Sequence, residues 1–203
     1  MRFIKMIGQR SETKQAVVII PEIYGMNQYI YDWVDFFRER NFDSFCVDLS
    51  QKERVYQYTH NCEAYQAFID KNGFMTYQEI EIDMLELRKD YNKVIVFGSS
   101  VGATVAWRLT ENPNCDGMIG FYGSRIRDYL DVSPVCPCLL IFPEQETSFE
   151  VRSIIPRLNQ KDKVDVHVLA GCHGFADRYG DYYCEQSANR GLDMVNYFLR
   201  KID

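Results

Sequence analysis

The chain has 203 residues, 46% of them aliphatic, aromatic, Met or Cys and 26% charged, a balance that fits a globular domain and excludes a disordered or fibrous chain. Asp and Glu outnumber Lys and Arg by 29 to 23, and no basic run is interleaved with aromatics, so a nucleic-acid partner is not expected. No segment approaches the roughly 18 consecutive apolar residues of a membrane span, and "MRFIKMIGQRSETK" carries no long apolar stretch after its early charge; the expectation is a cytoplasmic protein with no membrane partner, folded as a single domain over residues 1–203.

In chain order, short apolar runs at 16–20 (AVVII), 44–47 (SFCV), 93–97 (KVIVF), 117–121 (GMIGF), 138–142 (CLLIF) and 164–169 (VDVHVL) predict strands. The uninterrupted runs suit strands covered on both faces, as in parallel sheets, while in VDVHVL Val164, Val166 and Val168 take one face and Asp165 and His167 the other. Ile30, Trp33, Val34 and Phe37 recur at helical spacing, as do Val151, Ile154, Ile155 and Leu158, and Leu192, Val195, Phe198 and Leu199 mark a C-terminal helix. Thr76 with Glu79 and Thr147 with Glu150 have capping-box spacing, which predicts helix starts near 77 and 148. The Tyr-rich stretch 50–75 has no clear period and is expected to be irregular, a candidate wall of a site. Strands alternating with helices predict an α/β protein, a mostly parallel twisted sheet with helices on both faces, and ligands bound beyond the carboxyl ends of the strands.

The seven cysteines form an odd set with no secretory signal, so reduced thiols are expected. "VCPC" and "GCHG" lack the paired spacing of structural zinc sites, and neither a metal nor another cofactor is expected.

The chemistry concentrates at "VFGSSVGAT", residues 96–104. Gly98-Ser99-Ser100-Val101-Gly102 fits G-x-S-x-G with Ser100 at the centre, between the strand KVIVF and the predicted helix VGATVAWRL. A sharp strand-to-helix turn exposes the central hydroxyl and sets it at the positive end of the following helix. A phosphate-cradling loop would need a Walker lysine or G-x-G-x-x-G, and neither is present. A serine needs a base, and there are three histidines. His167 lies inside a strand and His60 precedes the serine with no strand before it. His173, in a loop just after the last strand, is the best placed. In the order Ser, acid, His, the acid falls in "LLIFPEQETS"; Glu146 is the first choice and Glu144 its competitor.

With these three placed, the chain resembles the dienelactone hydrolase family, a compact branch of the α/β-hydrolases without a cap domain. "VVIIPEIYGMNQYIYDWVDFFRERNFDSFCVDL" is similar to the family's opening segment with its Glu-Ile-(Tyr/Phe)-Gly signature, and "GFYG" and "CHGFADR" to two further family motifs. The resemblance implies Ser100 as nucleophile, His173 as base and Glu146 as acid, with the amides of Ile23 and Val101 forming the oxyanion hole. It also implies Glu22 near the nucleophile, to polarise the hydroxyl, bind substrate or brace the loop. Lys52 and Arg178 lie nearest in sequence to the family's carboxylate-binding arginines without matching them cleanly, and Tyr24, Phe121 and Tyr122 are candidates either to line the pocket or to pack beside the sheet edge. Serine stands where the founding enzymes have cysteine, the acid is Glu instead of Asp, and Asp177 occupies the place of one carboxylate-binding arginine. The expected activity is hydrolysis of a small ester or lactone through an acyl-enzyme. Two other readings stay open: a hydrolase of a different acyl group (peptide, thioester or acetylated sugar), and a non-catalytic small-molecule-binding protein on the same scaffold.

Overall fold

The structure is a computed structural model that describes residues 4–8, 10, 12–49 and 54–202. Its centre is a seven-stranded sheet: β1 (Ile4–Ile7), β2 (Gln15–Ile20), β3 (Asp43–Val47), β4 (Lys93–Ser99), β5 (Gly117–Phe121), β6 (Cys138–Gln145) and β7 (Val164–Cys172), in the spatial order β1-β3-β2-β4-β5-β6-β7. Only β1 runs antiparallel, against β3. The six predicted strands are the six parallel ones. The short edge strand β1, "IKMI", escapes a reading that looks for uninterrupted apolar runs, because a lysine divides it.

Side-chain alternation splits the apolar runs between two cores. On one face Val17 and Ile19 of β2 and Ile95 and Phe97 of β4 pack with Trp33, Val34 and Phe37 of α1 (Gln28–Arg38) and Val195, Phe198 and Leu199 of α6 (Glu185–Lys201). On the other face Val18 and Ile20 of β2 and Val94 and Val96 of β4 meet Ile80 and Met84 of α3 (Tyr77–Leu87), and Val105 and Trp107 of α4 (Val101–Arg108). Nearly every residue of β2, β3, β4 and β5 is therefore covered whichever way it points, which is why the sequence shows continuous apolar runs there, whereas the edge strand β7 stays partly exposed. This is the α/β-hydrolase fold, with helices on both faces of the sheet and no separate cap among the described residues.

Three local expectations need correction. Residues 61–70 of the supposedly irregular stretch form α2 (Asn61–Asp70). Its buried stripe is only Ala64 and Phe68, and its outer face is held by a Gln66 to Asp70 side-chain bond of 2.8 Å, so the helical period is faint. The helix expected from 148 is instead a 3-10 turn at Val151–Ser153 followed by the single-turn α5 (Ile155–Leu158). Glu150, not Thr147, accepts the capping bond, from the Arg152 amide at 3.2 Å, and Pro156 has no N–H to continue a helix begun upstream. α3 does start at 77, yet without a capping box. The Thr76 hydroxyl donates backwards to the Gly73 carbonyl at 2.8 Å, while Glu79 accepts from Asn72 at 2.8 Å. Among the described residues no helix is long and apolar enough to cross a membrane.

Candidate active site

Ser100 joins β4 to α4 with φ 54° and ψ −120°, a conformation that strains any residue with a Cβ. The two glycines of the motif are required by close approach. A Cβ on Gly98 would lie 2.3 Å from the Gly102 carbonyl oxygen, and one on Gly102 would lie 2.1 Å from the carbonyl oxygen of Ile20. The Ser100 amide donates to Phe121 O at 2.9 Å and its carbonyl accepts from Thr104 N at 3.3 Å, so the bend is held at both ends. Ser99 is fully buried, whereas Ser100 is partly exposed, which separates the two serines.

His173 and Glu146 reach this hydroxyl through strand register. β6 and β7 run side by side until an irregularity between Pro143 and Gln145, after which Gln145 stands beside Cys172. The next residue of each strand is then Glu146 and His173. His173 Nε2 lies 2.9 Å from Ser100 Oγ, and His173 Nδ1 lies 2.6 Å from Glu146 Oε2. Gly171 and Gly174, at φ 115° and 87°, supply the left-handed backbone that turns the chain on either side of the histidine. The Glu146 side chain is only 4% exposed. Glu144 points away, 52% exposed and paired with Arg152 at 3.5 Å.

The electrostatics match a hydroxyl–imidazole–carboxylate chain. Burial pushes the Glu146 carboxyl up, but the His173 hydrogen bond and charge, together with the Ser148 amide and hydroxyl, outweigh it and hold the carboxyl below its ordinary value. Burial pushes His173 down, and Glu146, helped by the charge of Glu22, outweighs that and raises it. Such a pair favours a proton on Nδ1, leaving Nε2 free to accept from the serine.

The sequence profile of the dienelactone hydrolase family matches residues 5–203. The chain belongs to the dienelactone hydrolase family. The Bacillus subtilis (strain 168) protein YczH, itself uncharacterized, is 31% identical over 172 residues, 84% of this chain and 85% of its own length. Among solved structures, a dienelactone hydrolase-like promiscuous phosphotriesterase from metagenomic libraries superposes with a TM-score of 0.77 at 14% identity, covering 95% of this chain and 88% of that one. A cold-adapted esterase from an Arctic intertidal metagenomic library gives a TM-score of 0.63 at 13% identity over 95% and 84% of the two chains. These likenesses establish the architecture of this family member.

The other candidate residues are placed in different ways. Val101 is the first residue of α4, and within the described residues neither its amide nor that of Ile23 donates to a protein acceptor. Glu22 is 7% exposed, with an Oε1 that has no hydrogen-bond partner. Burial pushes its carboxyl up to about 7, with the charge of Asp177 adding to the shift while the His173 charge and the Tyr122 and Ser99 hydroxyls oppose it. Tyr122 adopts φ 42°, its ring 5.1 Å from that of His173 and its hydroxyl 2.9 Å from that of Tyr29. Tyr24 packs edge-on against Tyr58 at 4.7 Å, and Tyr58 is held by Asp177 and Asn27. The Tyr-rich stretch thus does reach this region, through Tyr58, which carried no motif signal of its own. Arg178 is turned toward α1, its Nε donating to Asp32 at 2.9 Å in an exposed ion pair, and it contacts none of the three relay residues. Lys52 lies outside the described residues.

A cavity of about 810 Å³ runs along β7 and α6, lined by residues such as Asp165, His167, Met194 and Tyr197 and by none of Ser100, His173 and Glu146. Convergent polar groups at the strand ends are the stronger sign of a reaction site than cavity size. No group of three or more Cys, His, Asp or Glu among the described residues is arranged to hold a metal ion.

Proposed function

We propose that this member of the dienelactone hydrolase family is a serine hydrolase that cleaves a small ester or lactone, working as one domain over residues 1–203. The observation that carries the reading is the continuous relay from Ser100 Oγ through His173 to Glu146, with spacings of 2.9 and 2.6 Å.

His173 Nε2 takes the Ser100 proton as Oγ attacks the ester carbonyl. The tetrahedral oxyanion is stabilised by the amides of Ile23 and Val101 at the head of α4. His173 then delivers the proton to the leaving alkoxide, and water completes the cycle by hydrolysing the acyl-enzyme with the imidazole again as base. Glu146 keeps the imidazole in the accepting tautomer and stabilises its cationic form. Glu22 is best supported as a buried neighbour that adjusts the charge around His173, since its proton affinity is set by burial, His173 and Asp177. Tyr24 contributes aromatic surface to the site, and Tyr122, fully buried with its ring 5.1 Å from that of His173, packs behind the imidazole. The Asp32 pairing of Arg178 speaks against a role in holding a substrate carboxylate, and with Asp177 in place of an arginine it favours uncharged esters over dienelactone itself.

The test is treatment with a serine-reactive fluorophosphonate followed by peptide mapping. The proposal predicts a single adduct on Ser100 that forms in parallel with loss of short-chain esterase activity. A fully labelled Ser100 with undiminished turnover, or an adduct confined to another serine, overturns it.

A further inference from the structure

We propose that Cys115 and Cys136 form an oxidisable dithiol that closes to a disulfide when a small peroxide reaches it. Their sulfur atoms lie 3.6 Å apart, across 21 residues of sequence. The segments carrying them are already fastened together by the Val135 amide, which donates to Thr110 O at 2.8 Å. Each of the three thiols here also has a backbone acceptor, Cys115 at Gly117 O (3.5 Å), Cys136 at Thr110 O (3.9 Å) and Cys138 at Cys136 O (3.4 Å), but the sulfur–sulfur contact among them is the one between Cys115 and Cys136. This leaves Cys115 facing Cys136 as the pair with reach to bond, since a disulfide needs the sulfurs to approach to about 2.05 Å.

The chemistry balances with a peroxide as the oxidant. The Cys136 thiolate attacks one peroxide oxygen, the O–O bond breaks, and a sulfenic acid and hydroxide form; the hydroxide takes up the proton that Cys136 released on ionising and leaves as water. The Cys115 sulfur then attacks the Cys136 sulfur; the S–S bond forms, the S–O bond breaks, and the departing hydroxide takes the Cys115 proton to leave as a second water. Two thiols and one hydrogen peroxide become one disulfide and two waters. Cys136 is the first attacker because the Cys115 thiol, 3.6 Å from its sulfur, favours its ionised form against the opposing effect of burial. Both residues are 3% exposed, which restricts the oxidant to a small molecule.

The location predicts the consequence. Cys115 precedes β5 and Cys136 precedes β6, at the amino ends of parallel strands, whereas Ser100 and His173 lie at the carboxyl ends. At about 3.3 Å per residue the five-residue β5 separates the two regions by roughly 15 Å. The cross-link is therefore a lock on stability that leaves the reaction site alone.

The experiment is exposure of the full-length protein to hydrogen peroxide, then alkylation under denaturing conditions, non-reducing digestion and mass mapping, with thermal unfolding in parallel. The proposal predicts a Cys115–Cys136 cross-linked peptide, reversal by dithiothreitol, and a Tm raised by roughly 5–10 °C for closure of a loop this size. Cys115→Ala abolishes the cross-link and the shift. Because that substitution touches a packed site, Cys138→Ala, which leaves the pair intact, is the companion and must still cross-link. Full alkylation of both Cys115 and Cys136 after oxidation, or a Cys136–Cys138 bond in their place, overturns the proposal.

Discussion

Replacing Glu146 with Gln keeps the size of the side chain and removes its charge from a position 2.6 Å from His173 Nδ1. Two unit charges at 4 Å in a protein-like dielectric interact by about 4 kcal/mol. Here one partner is 4% exposed and the other 34%, so part of that attraction is screened by solvent. The amide also no longer fixes the proton on Nδ1, and the corresponding loss in a serine protease is about 10⁴-fold. The expected fall in kcat/KM for a short-chain activated ester is about 10³-fold, or about 4 kcal/mol of transition-state stabilisation, with kcat carrying most of it. The pH profile supplies a second readout. His173 must be neutral to accept the serine proton, and Glu146 raises its pKa. Removing that charge moves the acid limb of kcat/KM to lower pH. Glu144→Gln is the matched control: with the side chain 52% exposed and engaged only with Arg152, it should change kcat/KM by less than about twofold. A large loss in Glu144→Gln together with wild-type rates in Glu146→Gln would refute the assignment of the acid.

Three further outcomes follow from the same geometry. Glu22, pushed up to about 7 by burial, holds its proton more tightly folded than unfolded, so it costs stability once pH exceeds its unfolded value near 4.5. The cost grows until about pH 7, and Glu22→Gln should therefore raise the Tm by several degrees at pH 8, against a ceiling of about 3 kcal/mol, and by little at pH 4.5. Gly102→Ala would drive a methyl to 2.1 Å from Ile20 O, and chemical unfolding should show a loss of about 3 kcal/mol with activity falling in step as the bend relaxes. By contrast, Gly174→Ala has open space around its Cβ and only its φ of 87° to strain, so it should cost about 1–2 kcal/mol in the same unfolding assay.

The parts of the fold visible in the sequence were those where local pattern and tertiary burial agree. The β2, β4, β5 and β6 runs are apolar without interruption because helices cover both faces, and the glycines around Ser100 announce a bend that their contacts with Gly102 O and Ile20 O require. That Ser100, His173 and a carboxylate from the segment after β6 would come together was legible because each follows a strand, and parallel strands deliver their carboxyl ends to one edge. The choice between Glu144 and Glu146 was not legible, since it depends on the irregularity between Pro143 and Gln145 that shifts register by a residue. The surroundings of Tyr58 were equally hidden: its contacts with Asn27 and Asp177 span 31 and 119 residues and leave no local pattern. Arg178 has a further long-range partner that no local pattern announces, its guanidinium paired with Asp32 across 146 residues.

The central claim is that the hydroxyl of Ser100 is the attacking group, and the most direct measurement compares Ser100→Ala with Ser99→Ala in steady-state hydrolysis of an activated short-chain ester. The account predicts a loss on the order of 10⁴-fold or more in kcat for Ser100→Ala with the fold intact by circular dichroism, and turnover within a few-fold of wild type for folded Ser99→Ala. Undiminished turnover by folded Ser100→Ala would contradict it.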